Sequence, residues 1–333
     1  MKRLICMVLS VLMLMTGVVA LAEDGSMMGG RGMGGPGGGM GGPRMGGGGG
    51  RMNDKSSDTE LQAMIAEVAP KFQLLTFTDP DTGAELQYQL FVPENYDKST
   101  SYPLVQFIPD ASVVGNGADV VLTQGWGGLI WATEAEQAKH PCFVVVPVFT
   151  ETIVDDSFNT SDQIETAVKL IQYLTETYSI DTGRIYTTGQ SMGGMTSFYL
   201  NVTCPDLFAA SLFVGSQWDI NVLNVLEGDT FFYIVSAGDP KASAGQAELM
   251  ALFDSDGVAY SAAEWSAQDD AQDQKVADML AEGHSANFVT FTLGTTLVDG
   301  QTSGGGAGEH MTSFDYAYKI EAVRDWLFEQ VKA

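Results

Sequence analysis

Six short, nearly unbroken apolar runs constrain this chain more than any other feature: Leu104–Ile108, Phe143–Val148, Arg184–Thr188, Ala210–Val214, Phe231–Val235 and Phe288–Leu293. Runs of this length without polar alternation fit strands buried on both faces. Between several of them the period becomes helical. From Asp162 to Tyr178, Ile164, Val168, Ile171 and Leu174 fall on one face, behind Thr160-Ser161-Asp162 as a cap. Upstream, Phe72 to Val92 alternates on either side of Asp79-Pro80-Asp81-Thr82-Gly83, which predicts an antiparallel hairpin. A hairpin followed by strands alternating with helices gives an α/β fold with a mostly parallel central sheet and helices on both faces. Ligands bind such sheets at the carboxyl ends of the strands. The Asp/Gln/Ala-rich stretch from Ser261 to Glu282 reads as an acidic surface helix before the last strand, its carboxylates solvated rather than metal-binding.

The amino terminus has a different character. Lys2 and Arg3 precede an apolar stretch from Leu4 to Val19 and the small-x-small triplet Ala20-Leu21-Ala22. This predicts a signal peptide over residues 1–22 and an exported protein, extracellular or periplasmic. Residues 23–53, Gly/Met-rich from Gly25 to about Met52, lack the bulky apolar side chains that would repay ordering, and are expected to form a disordered linker. Their methionines are irregularly spaced and without a histidine, which argues against a thioether copper site. Residues 54–333 remain as one large domain, with no further apolar run long enough to span a bilayer. With 42 acidic against 16 basic residues and a net charge of −26, nucleic acid and anionic membrane are poor partners. Of the three cysteines, Cys6 leaves with the signal, and Cys142 and Cys204 are not expected to pair.

The strongest chemical signal is Gly189-Gln190-Ser191-Met192-Gly193-Gly194, placed between the predicted strand Arg184–Thr188 and the helical stretch Met195–Leu200. A Gly-x-Ser-x-Gly at a strand-to-helix junction forces the serine into a tight bend, where side chains at the flanking positions would clash. The bend lifts the hydroxyl above the sheet, and the next helix aims its first amides at a developing oxyanion. A serine alcohol needs a base, and the chain has only three histidines. His140 and His284 each precede a predicted strand, at the end opposite the bend. His140 reads as a surface residue. His310 follows the last predicted strand and the Gly-rich stretch Ser303 to Gly308, and precedes an amphipathic terminal helix carrying Tyr316, Ile320, Val323 and Leu327. Position and elimination make it the base. The orienting acid is expected in a loop after a late strand. Asp239, in Ala237-Gly238-Asp239-Pro240, is the first choice and Asp219, in Gln217-Trp218-Asp219, the rival. The oxyanion donors are expected to be the amide of Met192 and, from the loop Pro109-Asp110-Ala111-Ser112, that of Ala111.

Taken together these residues resemble the α/β-hydrolase superfamily, and within it the secreted esterases grouped with polyhydroxybutyrate depolymerases and feruloyl esterases, and the related "predicted peptidase" branch. The resemblance runs from about Phe72 to Val331. It is carried by Tyr88 to Tyr96, Tyr102-Pro103-Leu104-Val105, Gln137 to Phe143, Asp181 to Gly194, and His310 through Asp325-Trp326-Leu327. It implies a Ser191/Asp239/His310 triad and ester or amide hydrolysis. One departure is visible: relatives usually carry His-Gly where this chain has Pro109-Asp110. A charge there opposes a developing oxyanion if it points inward, so Asp110 is expected to face outward or to bind a neighbouring donor.

The expected reaction is acyl transfer through Ser191 with neither metal nor organic cofactor. About fifteen residues separate Val214 from Phe231, too few for a helical cap. An uncovered site suits soluble or polymer-attached esters. Trp126, Trp131 and Trp218 are candidates to line it, each with a competing role in the core.

Overall fold

A computed structural model of the chain describes residues 54–297 and 307–332. The expected signal peptide and linker, and most of the Gly-rich stretch before His310, lie outside the described residues. All described residues belong to one compact unit. Its sheet has nine strands: β1 Gln73–Thr78, β2 Glu85–Phe91, β3 Tyr102–Ile108, β4 Phe143–Val148, β5 Ile180–Gln190, β6 Ala210–Val214, β7 Phe231–Ser236, β8 Ser261–Trp265 and β9 Ala286–Phe291. Their spatial order is β1-β2-β4-β3-β5-β6-β7-β9-β8. β1 pairs antiparallel with β2, and β2 with β4, whereas all the other neighbours run parallel. The described helices are α1 Thr59–Val68, α2 Val120–Thr123, α3 Glu134–Lys139, α4 Gln163–Thr177, α5 Met192–Thr203, α6 Pro240–Asp256, α7 Gln272–Leu280, α8 Ala307–Lys319 and α9 Glu321–Glu329.

The apolar runs lack alternation because both faces of the central strands are covered. Successive residues of a strand point to opposite faces, so one strand feeds two cores. Phe213 stacks on Phe198 of α5 at 3.8 Å between ring centroids, and Phe231 meets Phe253 of α6 edge-on. The next residue, Phe232, points the other way, against Trp326 of α9 at 4.7 Å. Phe213, Phe231 and Phe232 are all fully buried. Removing any one ring is worth about 3–5 kcal/mol of stability. α4 buries its predicted stripe, Ile164, Val168, Ile171 and Leu174.

Two elements and one histidine differ in kind from the sequence expectation. Ser261–Trp265 is a strand, parallel to β9 at the sheet edge, and the helix of that region begins only at Gln272. Half-buried Ser-Ala-Ala-Glu-Trp carries too little apolar signal to show as a strand. The terminal amphipathic helix is two helices, broken at Ile320, whose backbone is extended (φ −69°, ψ 104°). The break is held from a distance: buried Arg324 donates from Nη1 to the Tyr318 carbonyl at 2.5 Å and from Nε to the buried carboxylate of Glu136 at 2.8 Å. His140 is half-buried rather than a plain surface residue, stacked on Phe328 and bonded to Asp325.

Cys142 is buried and is not bonded to Cys204. Burial pushes the Cys142 thiol up to about 12, so it stays protonated. The β6–β7 crossing spends residues 215–230 on a loop and a single 3-10 stretch, Ile220–Gly228, and no cap domain is inserted there. No described helix is long and apolar enough to cross a membrane.

Candidate active site

β5 runs on to Gln190, and α5 begins at Met192, leaving Ser191 alone between them with φ 53° and ψ −120°. A positive φ strains a residue bearing a Cβ. Close packing holds it: a side chain at Gly189 would collide with the backbone of Gly193 and Gly194, and one at Gly193 with the carbonyl of Ile108. The Ser191 amide is fixed by the Val214 carbonyl of the neighbouring β6 at 3.0 Å. The bend is therefore enclosed by backbone of β3, β5, β6 and α5. Below it, buried Thr188 shares a hydrogen bond with the Tyr318 hydroxyl at 3.0 Å, and burial holds that phenol well above its ordinary range.

His310 lies in the first turn of α8 rather than in a loop before it. Its Nε2 is 2.8 Å from Ser191 Oγ, and its Nδ1 is 2.5 Å from Asp239 Oδ2. A carboxylate only accepts, so Nδ1 donates to Asp239, and in the neutral imidazole Nε2 is then the acceptor for the Ser191 hydroxyl. Phe314, one turn on, meets the imidazole edge-to-face at 5.0 Å. Asp239 follows β7 as N-cap of α6: Oδ1 accepts from the Ala242 amide at 3.3 Å while Oδ2 faces the imidazole. Only 3% of Asp239 is exposed, so its carboxylate is shielded from competing water. The rival Asp219 turns away, its Oδ1 accepting from the amide and side chain of Asn221 at 3.0 and 2.7 Å.

Met192 is the first residue of α5 and Ala111 the first of a 3-10 turn, Ala111–Val113. First-turn amides have no acceptor within their own helix, and both are thus spare donors. Asp110 does not face solvent. It is buried, with Oδ1 accepting from the Ser112 amide at 2.7 Å and Oδ2 from Gln190 Nε2 at 2.8 Å. The tryptophans are core residues first. Trp218 is buried against Phe158 and Tyr199, and Trp131 donates to the Gly127 carbonyl. Trp126 packs against the second half of α8, its amide on Asp315 and its ring under the Lys319 ammonium. His310 stands at that helix's other end.

Glu309 was not singled out from the sequence, because a lone acid beside a histidine carries no pattern. It is buried, and Oε2 accepts from Ser236 Oγ at 2.8 Å and the Gly294 amide at 2.9 Å. It ties the turn bearing His310 to the ends of β7 and β9.

No protein-family model matches the chain, and no curated protein matches its sequence. Solved structures do match. A thermostable esterase is similar over 80% of this chain at 25% identity and a TM-score of 0.64, and the chain spans 64% of that protein's length. A mutant of the feruloyl esterase module from Clostridium thermocellum, complexed with sinapinate, matches at 13% identity and a TM-score of 0.52, over 79% of this chain and 89% of the module. A ferulic acid esterase matches at 12% identity and a TM-score of 0.50, over 78% and 98%. The described residues have the α/β-hydrolase fold, and the chain is structurally related to esterases built on it.

Proposed function

We propose that the protein is an exported serine hydrolase that cleaves carboxylic esters. One observation carries the reading: a hydroxyl on a strained strand-to-helix bend, an imidazole and a buried carboxylate form one hydrogen-bonded series, Ser191–His310–Asp239. Ser191 attacks the ester carbonyl as His310 Nε2 takes its proton, and Asp239 stabilises the imidazolium. The amides of Met192 and Ala111, at the positive end of α5 and of the 3-10 turn, receive the oxyanion. His310 returns the proton to the leaving alcohol, and water releases the acyl group by the same path. The uncapped β6–β7 crossing supports small or polymer-attached esters as substrates. Export rests on the amino-terminal pattern of Lys2-Arg3, the apolar stretch and Ala20-Leu21-Ala22.

The test is turnover of p-nitrophenyl acetate and butyrate beside peptide anilides, together with labelling by a fluorophosphonate probe. Ester turnover and labelling of wild type, both lost in Ser191→Ala, are expected. Anilide cleavage with negligible ester cleavage makes the protein a peptidase instead, and an unlabelled wild type makes it a binding module on this fold.

A further inference from the structure

Asp110 poses an electrostatic problem for that reading, because a buried carboxylate beside a developing oxyanion opposes it. Its hydrogen bonds give it another role. Both oxygens are engaged, one by the Ser112 amide and the other by Gln190 Nε2. Taking up the Ser112 amide shapes the turn and leaves the preceding Ala111 amide without an acceptor in that turn. Gln190 is the residue before Ser191, so a single carboxylate joins the β3 loop that carries Ala111 to the bend that carries Met192. The two segments touch closely, with the Ile108 and Pro109 carbonyls occupying the space a side chain at Gly193 would need.

We propose that Asp110 is a positioning residue: by clamping the β3 loop to the bend through Ser112 and Gln190, it sets the spacing of the Ala111 and Met192 amides. The inference rests on the serine hydrolase reading above. It assigns the negative charge a structural use and explains why that charge is spent on two donors rather than left facing the reaction. Gln190 Oε1 is buried with no hydrogen-bond partner among the described residues. If Asp110 becomes Asn, Oδ1 still accepts from Ser112, and the new amide donates to Oε1 once Gln190 turns over.

The experiment compares Asp110→Ala, Asp110→Asn and Gln190→Ala with wild type. It reads kcat and KM on p-nitrophenyl butyrate, and the affinity for an aryl trifluoromethyl ketone whose serine adduct carries an oxyanion. Asp110→Ala is expected to lower kcat and ketone affinity by about 100-fold, the effect of losing one oxyanion donor, with KM within about threefold. Asp110→Asn should keep kcat within about tenfold of wild type, and Gln190→Ala should lose about tenfold. A folded Asp110→Ala with wild-type kcat and ketone affinity, or with a change confined to KM, overturns the proposal. If Asp110→Ala does not fold, an unaltered Gln190→Ala overturns it. Failure of the hydrolase reading looks different: wild type itself is then unreactive towards the fluorophosphonate. A reactive wild type with an equally reactive Asp110→Ala sinks this inference alone.

Discussion

His310 and His140 each hold an aspartate, at opposite ends of the same sheet. At the carboxyl end, His310 Nδ1 meets Asp239 at 2.5 Å, an acid 5% exposed at its side chain and fixed as a helix cap. At the amino end, His140 Nε2 meets Asp325 at 2.8 Å, an acid 40% exposed that also pairs with Lys139. By contact distance alone the two couples are alike. What separates them is the second nitrogen and its surroundings. His310 offers Nε2 to a hydroxyl on a strained bend at the start of α5, whereas the His140 ring lies flat on Phe328, 4.6 Å between centroids. An imidazole–carboxylate couple is a structural unit in its own right. Chemistry needs in addition a nucleophile on the free nitrogen and donors aimed at the product charge.

The largest test of that contrast removes one member at each end. Ser191→Ala and His310→Ala are each expected to lower kcat on p-nitrophenyl butyrate by about 10⁴–10⁶-fold, and His140→Ala to change it by less than about threefold. A comparable loss in His140→Ala breaks the comparison. The acids come next. Asp239→Asn keeps the shape but favours the wrong imidazole tautomer, and should reduce kcat by about 10⁴-fold. Asp325→Asn and Asp219→Asn should stay within about threefold of wild type in the same assay. If Asp219→Asn proves the more damaging, the wrong carboxylate has been assigned.

Asp219 remains a rival to Asp239 in the sequence for a physical reason. Asp219 and Asp239 follow neighbouring parallel strands and both cap the helical turn after them. Locally they are the same chemistry, and only the tertiary path of α8 decides which one meets His310. The bend at Ser191 was legible because its constraint is local, in glycines at fixed offsets. β4 and β6 were legible because every residue in them is buried, so the strand shows as a dense apolar run. The edge strand β8 alternates exposed and buried residues over only five positions and was lost among acidic neighbours. The α8–α9 break has no Gly or Pro to announce it, since what holds it is Arg324, four residues beyond the break. The Asp110–Gln190 clamp spans eighty positions and leaves no trace in spacing.

The amino-end couple should show in stability instead. His140→Ala removes a ring stacked on Phe328 and a hydrogen bond to a part-exposed acid, together about 1–2 kcal/mol. A thermal melt should fall by roughly 2–4 °C. An unchanged melting temperature would mean that the stack is incidental, and would leave the amino end without a measurable role for its histidine.

The smallest effect sharpens the contrast in how the two ends treat buried acids. Asp110, Asp239 and Glu309, around the bend, each have donors on their carboxylates. Asp229, just before the amino end of β7, has an oxygen buried with no hydrogen-bond partner among the described residues, and burial pushes its carboxyl up to about 6. A raised carboxyl binds its proton more tightly in the folded chain than in the unfolded one, where it titrates near 3.9. Its contribution to stability is therefore complete below about pH 4 and is lost as the pH rises through 6. Asp229→Asn removes that loss. After discounting for solvent around a partly exposed group, the variant should gain about 1 kcal/mol at pH 8 and almost nothing at pH 4. Melts of wild type and variant across that range test the sign: an equal gain at both ends traces the effect to packing, and a gain confined to high pH traces it to a charge left without a donor.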